Sequence, residues 1–286
     1  MKKITVISGK GGTGKTTLTG SFAALAGNSA VMVDGDVDAA NLSLILKGEK
    51  LEEHPFIASS TAVINPQICT SCNLCRELCR FDAISEEYMV NPVACEGCYF
   101  CHYACPAEAI AMEERISGYW FVSKTPYGTL VHARLGIAEE NSGKLVTAIR
   151  NKGEELANSA GSELLIIDGP PGIGCPVIAS LSGVDAALIV TEPTVSGIHD
   201  LQRVVAVCRH FGVPALICIN RCDLDLRQTE NIESYCREEG LQLAGKIPFN
   251  RAFVDSMVKG IPVVEYDQGD LTKKIGEVWK YLLSMV

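Results

Sequence analysis

A glycine-rich segment near the amino terminus constrains the fold of this 286-residue chain more than any other feature. The apolar run Ile4–Ser8 predicts a strand, and residues 9–17, Gly-Lys-Gly-Gly-Thr-Gly-Lys-Thr-Thr, lead from it into a predicted helix over Lys15–Ala26. Glycines let backbone N–H groups converge on phosphate oxygens, and the amino terminus of the helix adds positive potential. The pattern predicts a phosphate-binding loop, with Lys15 on the β- and γ-phosphates and Thr16 on Mg²⁺, rather than a plain glycine turn. The predicted nucleotide-binding residues are Gly11, Gly12, Thr13, Gly14, Lys15, Thr16 and Thr17.

Short apolar runs alternate with amphipathic stretches over most of the chain, which is typical of βαβ units and a parallel sheet. Hydrophobic residues make up 47% of the sequence, so a sizeable core can form. We predict an α/β fold with a doubly wound, mainly parallel sheet and helices on both faces. Further predicted strands are Ala30–Asp34, Leu164–Asp168, Ala186–Thr191, Pro214–Asn220 and Ala244–Ile247, with Tyr119–Ser123 and Thr129–Arg134 as a strand pair. Further predicted helices are Lys144–Ser159, Gly197–Phe211, Leu226–Glu238, Arg251–Lys259 and Leu271–Ser284.

Charge and hydropathy exclude several classes of protein. The 34 acidic residues outnumber the 25 basic ones, for a net charge of −9, whereas a general nucleic-acid binder needs the opposite balance. The apolar runs are shorter than the ~18 residues of a membrane-spanning helix, and no secretory segment is recognised. Thirteen cysteines in such a chain favour metal ligands in a reducing compartment over disulfides. We expect a cytoplasmic protein with no integral membrane segment and no nucleic-acid partner.

Acidic residues follow two of the predicted strands. Asp34 and Asp36 come at the end of the strand that begins at Ala30, and Asp168 ends the strand that begins at Leu164. The carboxyl ends of parallel strands face the ligand crevice of such a sheet. An apolar strand that ends in aspartate also fits a metal-supporting carboxylate, so Asp168 is predicted to hold Mg²⁺ through water.

Lys10 is a second lysine inside the glycine-rich loop, and this arrangement resembles the deviant Walker A ATPases, the group of MinD, ParA, Mrp and the nitrogenase iron protein. The resemblance covers nearly the whole chain outside residues 58–117. It implies a P-loop NTPase fold of the SIMIBI type and hydrolysis of ATP with Mg²⁺. It also implies an ATP-dependent homodimer in which Lys10 acts on the partner's phosphates, beside the catalytic residues Lys15 and Asp36. A solvated loop lysine is the alternative.

The same resemblance implies roles for other polar residues. Asp36 orients the attacking water, Asp34 and Asp36 lie near the metal, and Asn220 contacts adenine, unless Asn220 only caps a strand. Pro248 is a further expected base contact. The segment after Asp168 matches the Mrp-like switch II, which rearranges when the γ-phosphate leaves; its residues are Gly169, Pro170, Pro171 and Gly172.

Eight of the thirteen cysteines form two runs of identical spacing, C-x2-C-x2-C-x3-C, and the second run repeats the first 26 residues later. Both runs match the bacterial ferredoxin pattern, in which three cysteines hold one [4Fe–4S] cluster and the fourth ligates the other cluster. We therefore predict a small inserted α+β ferredoxin-like domain over residues 58–117, and an ATPase domain formed by residues 1–57 and 118–286. The predicted ligands are Cys69, Cys72, Cys75 and Cys105 for cluster 1, and Cys95, Cys98, Cys101 and Cys79 for cluster 2.

Zinc is the main alternative to the clusters, but four cysteines at such short steps crowd a tetrahedral ion. Arg80 departs from the ferredoxin pattern, which places a proline after the fourth cysteine, as Pro106 does in the second run. The segment 141–146, Asn-Ser-Gly-Lys-Leu-Val, resembles the ferredoxin-bearing branch of the MinD superfamily.

With two [4Fe–4S] clusters beside an ATPase domain, the resemblance to the nitrogenase iron protein implies ATP-gated electron transfer to an unidentified redox or iron–sulfur partner protein. Two other functions stay open. One is an Mrp-like carrier or assembly factor for iron–sulfur clusters, and the other is a MinD-like positioning ATPase whose ferredoxin senses redox state. Eight cysteines around two clusters favour permanent electron carriers over clusters that are delivered as cargo.

Overall fold

The computed structural model describes residues 1–136 and 142–286, which divide into two compact units. The first unit comprises Met1–His54, Trp120–Arg134 and Ser142–Val286. The second unit comprises Pro55–Tyr119 and a short segment that begins at Leu135. Asn141, the first residue of the 141–146 segment, lies outside the described residues.

Most of the regular elements in the described part of the chain lie within a few residues of their predicted positions. The strands are β1 (Lys2–Ser8), β2 (Ala30–Asp34), β3 (Glu49–Ile64), β4 (Ile110–Thr125), β5 (Gly128–Leu135), β6 (Leu164–Pro171), β7 (Ala186–Thr191), β8 (Ala215–Asn220) and β9 (Gln242–Ile247). The helices are α1 (Lys15–Ala26), α2 (Leu42–Leu46), α3 (Leu74–Leu78), α4 (Phe100–Ala104), α5 (Ser142–Ala160), α6 (Cys175–Leu181), α7 (Val195–His210), α8 (Leu226–Glu238), α9 (Ala252–Lys259), α10 (Val263–Tyr266) and α11 (Asp270–Ser284). Strand β3 and the short helices α2, α3, α4, α6 and α10 were not predicted as individual elements.

The strands form a sheet in the order β3-β4-β5-β2-β6-β1-β7-β8-β9. Strand β1 is parallel to both β6 and β7, β2 is parallel to both β5 and β6, and β8 is parallel to both β7 and β9. The predicted α/β fold with a mainly parallel sheet is therefore confirmed. The chain places β2 on one side of β1 and β7 on the other, so the carboxyl ends of these strands border a crevice of the kind that binds ligands.

The central strands are buried on both faces, because helices cover both sides of the sheet. Every residue of β2 and β7 is buried, and both Ile4 and Val6 of β1 are 0% exposed. On one face, Phe22 of α1 stacks against Trp279 of α11 with 5.1 Å between ring centroids. The glycine-rich loop thus leaves a strand and enters a helix that are both fixed by the core.

His132 of β5 makes the stability of the first unit dependent on pH. Its ring stacks on Phe121, and burial lowers its pKa from 6.5 to about 4. Between these values the unfolded chain binds a proton that the folded chain does not, so the free energy of unfolding falls as the pH drops from 6.5 toward 4. We expect His132 to contribute about 1–2 kcal/mol to this loss.

Urea unfolding of the wild type and of His132→Gln at pH 7 and pH 4.5 tests this prediction. The loss on acidification should be smaller for His132→Gln. His199→Gln is the control, because the side chain of His199 is 70% exposed, and it should behave as the wild type. Equal losses in all three proteins would contradict the assignment.

Candidate functional site

The glycine-rich loop joins the end of β1 to the start of α1 and needs glycine at two positions. Gly12 and Gly14 have φ angles of 79° and 94°, in the left-handed region that side chains disfavour. A Cβ atom at Gly14 would also lie 2.5 Å from Nδ2 of Asn220. The loop is therefore shaped both by its own glycines and by a side chain from a distant strand.

Asn220, the last residue of β8, holds the glycine-rich loop in place. Its side chain is buried, and Nδ2 donates a hydrogen bond of 2.8 Å to the carbonyl of Thr13. Its Oδ1 accepts a bond of 3.0 Å from the backbone N–H of Arg221. Sequence reasoning missed this supporting role, since nothing in the local pattern shows that residues 13 and 220 meet. The expected contact between Asn220 and adenine stays a prediction.

A cavity of about 690 Å³ opens beside the loop, within the first unit. The Lys15 side chain is only 6% exposed, and its Nζ lies 3.6 Å from Oδ2 of Asp36 at the cavity wall. Pro248 does not line the cavity, although the next two residues, Phe249 and Asn250, do. The predicted site residues that line it are Gly11, Gly12, Thr13, Gly14, Lys15, Thr16, Thr17, Asp36, Pro170, Pro171 and Asn220.

Two buried carboxylates lie behind this cavity on the neighbouring strands β2 and β6. Asp34 accepts hydrogen bonds from the backbone N–H groups of Asp36 (3.3 Å) and Leu42 (2.9 Å). Oδ1 of Asp168 accepts a hydrogen bond from the side-chain hydroxyl of Thr19 (2.9 Å). Burial and the charge of Asp168 raise the pKa of Asp34 well above its usual value. Oδ2 of Asp168 is buried and has no hydrogen-bond partner among the described residues.

Opposing effects act on the pKa of Asp168. Burial raises the pKa of its carboxyl group, whereas the charge of Lys15 and the hydroxyls of Thr16 and Thr19 oppose that rise. A buried carboxylate oxygen without a partner, close to a second buried carboxylate, is a group that a divalent cation would satisfy.

The strand before the predicted switch segment is longer than predicted, because β6 does not end at Asp168 but continues through Gly169 and Pro170 to Pro171. A Cβ atom at Gly169 would lie 2.5 Å from a side-chain methyl of Ile7, so the close approach of β1 requires glycine there. Gly172 has a φ of 94° and donates its N–H to the carbonyl of Ser8 over 2.8 Å. The segment therefore contacts the last residue of the strand that leads into the glycine-rich loop.

Lys10 extends from the loop toward the connection between β7 and α7. Its Nζ lies 2.6 Å from Oε1 of Glu192, and 3.1 Å from the hydroxyls of both Thr194 and Ser196. Lys10 does not line the cavity beside the loop. The two loop lysines therefore have different surroundings in the single chain: Lys15 lines the cavity, whereas Lys10 forms an ion pair with Glu192 of the same chain.

In the second unit, the eight clustered cysteines line two cavities. Each cavity is lined by the first three cysteines of one run and the fourth cysteine of the other. One contains Cys69, Cys72, Cys75 and Cys105, and the other contains Cys95, Cys98, Cys101 and Cys79.

Backbone geometry around the thiols repeats with the sequence. The residues before α3 and α4, Asn73 and Tyr99, have φ angles of 66° and 65°. The fourth cysteine of each run accepts a backbone N–H four residues later: Ala83 donates to Cys79 over 3.5 Å, and Ala109 donates to Cys105 over 3.3 Å. The two runs therefore have equivalent local structures.

Burial and the neighbouring thiols of Cys69 and Cys72 raise the pKa of Cys75, and Cys101 is affected in the same way by Cys95 and Cys98. Within residues 1–136 and 142–286, however, no three His, Cys, Asp or Glu side chains are arranged closely enough to hold a metal ion. The thiols surround cavities and do not converge on a single point, so the ligand sets stay a prediction.

A glycine-rich loop at the crevice of a parallel sheet, with a buried lysine and carboxylates around one cavity, defines a P-loop nucleotide-binding protein. The chain belongs to the CobQ/CobB/MinD/ParA nucleotide-binding domain family, whose sequence model matches residues 4–263. The predicted membership of the MinD/ParA-type ATPases is therefore confirmed. No helix in the described ranges has the length and apolarity needed to cross a bilayer.

Known proteins similar to this chain include characterised and uncharacterised members of the family. The uncharacterized protein MJ0578 of Methanocaldococcus jannaschii is 40% identical over 223 residues, which cover 77% of this chain and 78% of that protein. The chloroplastic septum site-determining protein MinD homologue of Arabidopsis thaliana is 25% identical over 274 residues, 91% of this chain and 68% of that protein. MinD from Pyrococcus horikoshii, complexed with Mg-ADP, has the same fold, with a TM-score of 0.62 and 20% identity over 98% of this chain and 95% of that chain.

Proposed function

We propose that the first unit binds ATP with Mg²⁺ and hydrolyses it to ADP and phosphate. One observation carries the proposal: a single cavity presents the glycine-rich loop, the buried Lys15 ammonium and the Asp36 carboxylate to the same space. Its volume of about 690 Å³ is in the range of small-molecule sites. Membership of a nucleotide-binding family supports a nucleotide as the occupant.

Each group of polar residues has a different role in the proposed reaction. The loop N–H groups and Lys15 stabilise the negative charge that develops on the phosphates, and Asp36 accepts a hydrogen bond from the attacking water and orients it. Thr16, Asp34 and Asp168 are the residues that would hold Mg²⁺, and the unpartnered Oδ2 of Asp168 fits such a cation. When bound, the ion neutralises charge on the β- and γ-phosphates.

The Asp36→Asn variant tests the hydrolysis proposal. We expect its kcat for ATP to fall about 100-fold, because an amide orients water less well than a carboxylate and accepts no proton. ATP binding, measured by fluorescence of a labelled nucleotide, should change much less, since the loop and Lys15 are intact. Asp270→Asn, at a 79% exposed carboxylate on α11, is the control and should hydrolyse ATP as the wild type does. Full activity in Asp36→Asn would refute the role of Asp36.

We also propose that ATP joins two copies of the chain into a homodimer in which Lys10 contacts the nucleotide of the other copy. In the single chain the Lys10 ammonium forms an ion pair with Glu192 and does not line the cavity of the same chain. Its side chain is 29% exposed, so it can reach a ligand presented from outside. A second cation near the phosphates would add to the charge stabilisation by Lys15.

For the second unit we propose two [4Fe–4S] clusters, one in each cysteine cavity. The support is the lining of the cavities, where every set of four thiols draws three members from one run and one from the other. N–H groups that point at Cys79 and Cys105 are the kind of hydrogen bond that tunes such sulfur ligands. When bound, each cluster supplies a one-electron carrier.

The combined proposal is an ATPase whose nucleotide switch controls electron delivery to a partner protein. If nucleotide and redox state are coupled by the 1–3 kcal/mol typical of linked sites, ATP should shift the cluster midpoint potential by roughly 40–130 mV relative to ADP. Anaerobic potentiometric titrations with each nucleotide measure the shift, and ATPase rates of the reduced and oxidised protein measure the reciprocal effect. If neither quantity responds, ATP-gated electron transfer is wrong.

A second candidate function is MinD-like positioning at a membrane surface, and it rests on the similarity to septum site-determining proteins. It predicts that the protein sediments with anionic liposomes in ATP but not in ADP. Retention in the supernatant under both conditions would leave the electron-transfer proposal as the better account.

A further inference from the structure

Glu192, directly after β7, joins two cations on opposite sides of its carboxylate. Its Oε1 lies 2.6 Å from Nζ of Lys10, and its Oε2 lies 2.9 Å from Nη1 of Arg221. The Glu192 side chain is only 14% exposed. No sequence motif pointed to this residue, yet it is the anionic partner of the loop lysine that does not enter the cavity.

The two cations on Glu192 differ in their connection to the nucleotide site. Arg221 lines the cavity and follows Asn220, whose side chain holds the loop through the carbonyl of Thr13. Lys10 belongs to the loop itself and is held additionally by the hydroxyls of Thr194 and Ser196. Glu192 thereby connects Lys10 to Arg221 in the wall of the cavity.

This arrangement lowers the free-energy cost of breaking the ion pair between Lys10 and Glu192. A buried carboxylate that loses its only cation is strongly destabilised, but Glu192 keeps Arg221 on its other oxygen when Lys10 leaves. The pair that breaks is partly exposed, and such pairs shift an equilibrium by less than about fivefold. Glu192 thus holds Lys10 in one position through an ion pair that is weak enough to break.

We infer that Glu192 is a positioning residue that stores Lys10 against the β7–α7 connection in the single chain and so opposes ATP-dependent dimerisation. This inference rests on the proposed action of Lys10 on a second copy's nucleotide. The ion pair with Glu192 and the contact with the second copy's nucleotide compete for the same Lys10 ammonium group. A weaker ion pair with Glu192 therefore strengthens the ATP-bound dimer. Arg221 stays in the cavity wall in both states.

The variant Glu192→Gln keeps the shape of the side chain and removes the charge that attracts Lys10. Its first readout is the rate at which an amine-acetylating reagent modifies Lys10 in the nucleotide-free protein, followed by peptide mass spectrometry. We expect this rate to rise about two- to fivefold, since the ammonium is less often held. Its second readout is the Kd of the dimer in ATP by analytical ultracentrifugation, which should fall by a similar factor.

Glu239→Gln is the matched control, because it breaks the surface pair with Arg209, 2.6 Å apart and remote from the loop. It should change neither the modification of Lys10 nor the Kd of the dimer. A merely structural role for Glu192 would lower thermal stability and weaken ATP binding without exposing Lys10.

The two readouts separate the possible failures. An unchanged Lys10 modification rate in Glu192→Gln overturns the inference, and so does faster modification with a dimer that is no tighter. If the wild type forms no dimer in ATP, the proposed function of Lys10 fails instead, while faster modification would still support storage by Glu192.

Discussion

Replacement of Lys15 by glutamine is expected to lower ATP hydrolysis by a factor of about 100 to 1,000, the usual effect of removing one preorganised charge from a reacting centre. The Lys15 ammonium is almost fully buried and lies 3.6 Å from Asp36. Its removal takes the ion-pair partner from Asp36 and the positive charge that opposes the raised pKa of Asp168. Those carboxylates would then repel the phosphates that the loop is shaped to bind, so ATP affinity should fall as well.

Steady-state hydrolysis and nucleotide binding of Lys15→Gln measure both effects. Lys246→Gln is the matched control, because Lys246 also pairs with a carboxylate, Glu233, but lies on β9 outside the cavity lining. A Lys15→Gln protein with near-normal turnover would mean that the cavity is not the hydrolytic site.

Paired cysteine substitutions are expected to show which thiols share a cluster. If the ligand sets are crossed, Cys79 belongs with Cys98 and not with Cys72. The double variant Cys79→Ser with Cys98→Ser should then lose one cluster and keep about four irons, whereas Cys79→Ser with Cys72→Ser should lose both clusters and all of about eight irons. The physical reason is that the first double variant leaves one cluster with all four thiolates, whereas the second leaves each cluster with only three.

Iron and sulfide analysis of anaerobically prepared protein gives the counts, and electron paramagnetic resonance after reduction identifies the surviving cluster. Cys175→Ser, at an exposed cysteine of the first unit, should keep the full iron content. The reverse pattern between the two double variants would show that each run holds its own cluster. Wild-type protein without iron would remove the cluster proposal altogether.

Elements with a continuous apolar run, an amphipathic period or a recognised motif at their start were predictable from neighbouring residues alone. Helices α1 and α8 begin and end at their predicted residues, and so do strands β2 and β7. Strand β3 was missed because its first residues, Glu49–Glu53, are all exposed, are charged except for Leu51, and show no buried alternation. The continuation of β6 to Pro171 was missed because proline donates no N–H to a sheet and normally indicates a strand end.

The site residues likewise fall into those that a local pattern predicts and those that only the fold brings together. Lys15, Thr16 and their glycines were identified because a phosphate loop is a contiguous segment whose chemistry can be inferred from residue order. The hydrogen bond from Asn220 to Thr13 spans 207 positions, and the contact from Lys10 to Ser196 spans 186. No local pattern predicts such pairs, because they depend on which strand ends the sheet order brings together.

The amino-acid sequence by itself determined the loop, the family and the spacing of the eight thiols, since each depends on neighbours within a few residues. Only the tertiary structure decided that Asp34 and Asp168 lie buried side by side on adjacent strands, that Asn220 supports the loop, and that Glu192 holds Lys10. These are effects of burial and charge between distant segments, and such effects exist only once the parallel sheet has brought the carboxyl ends of its strands to a common edge.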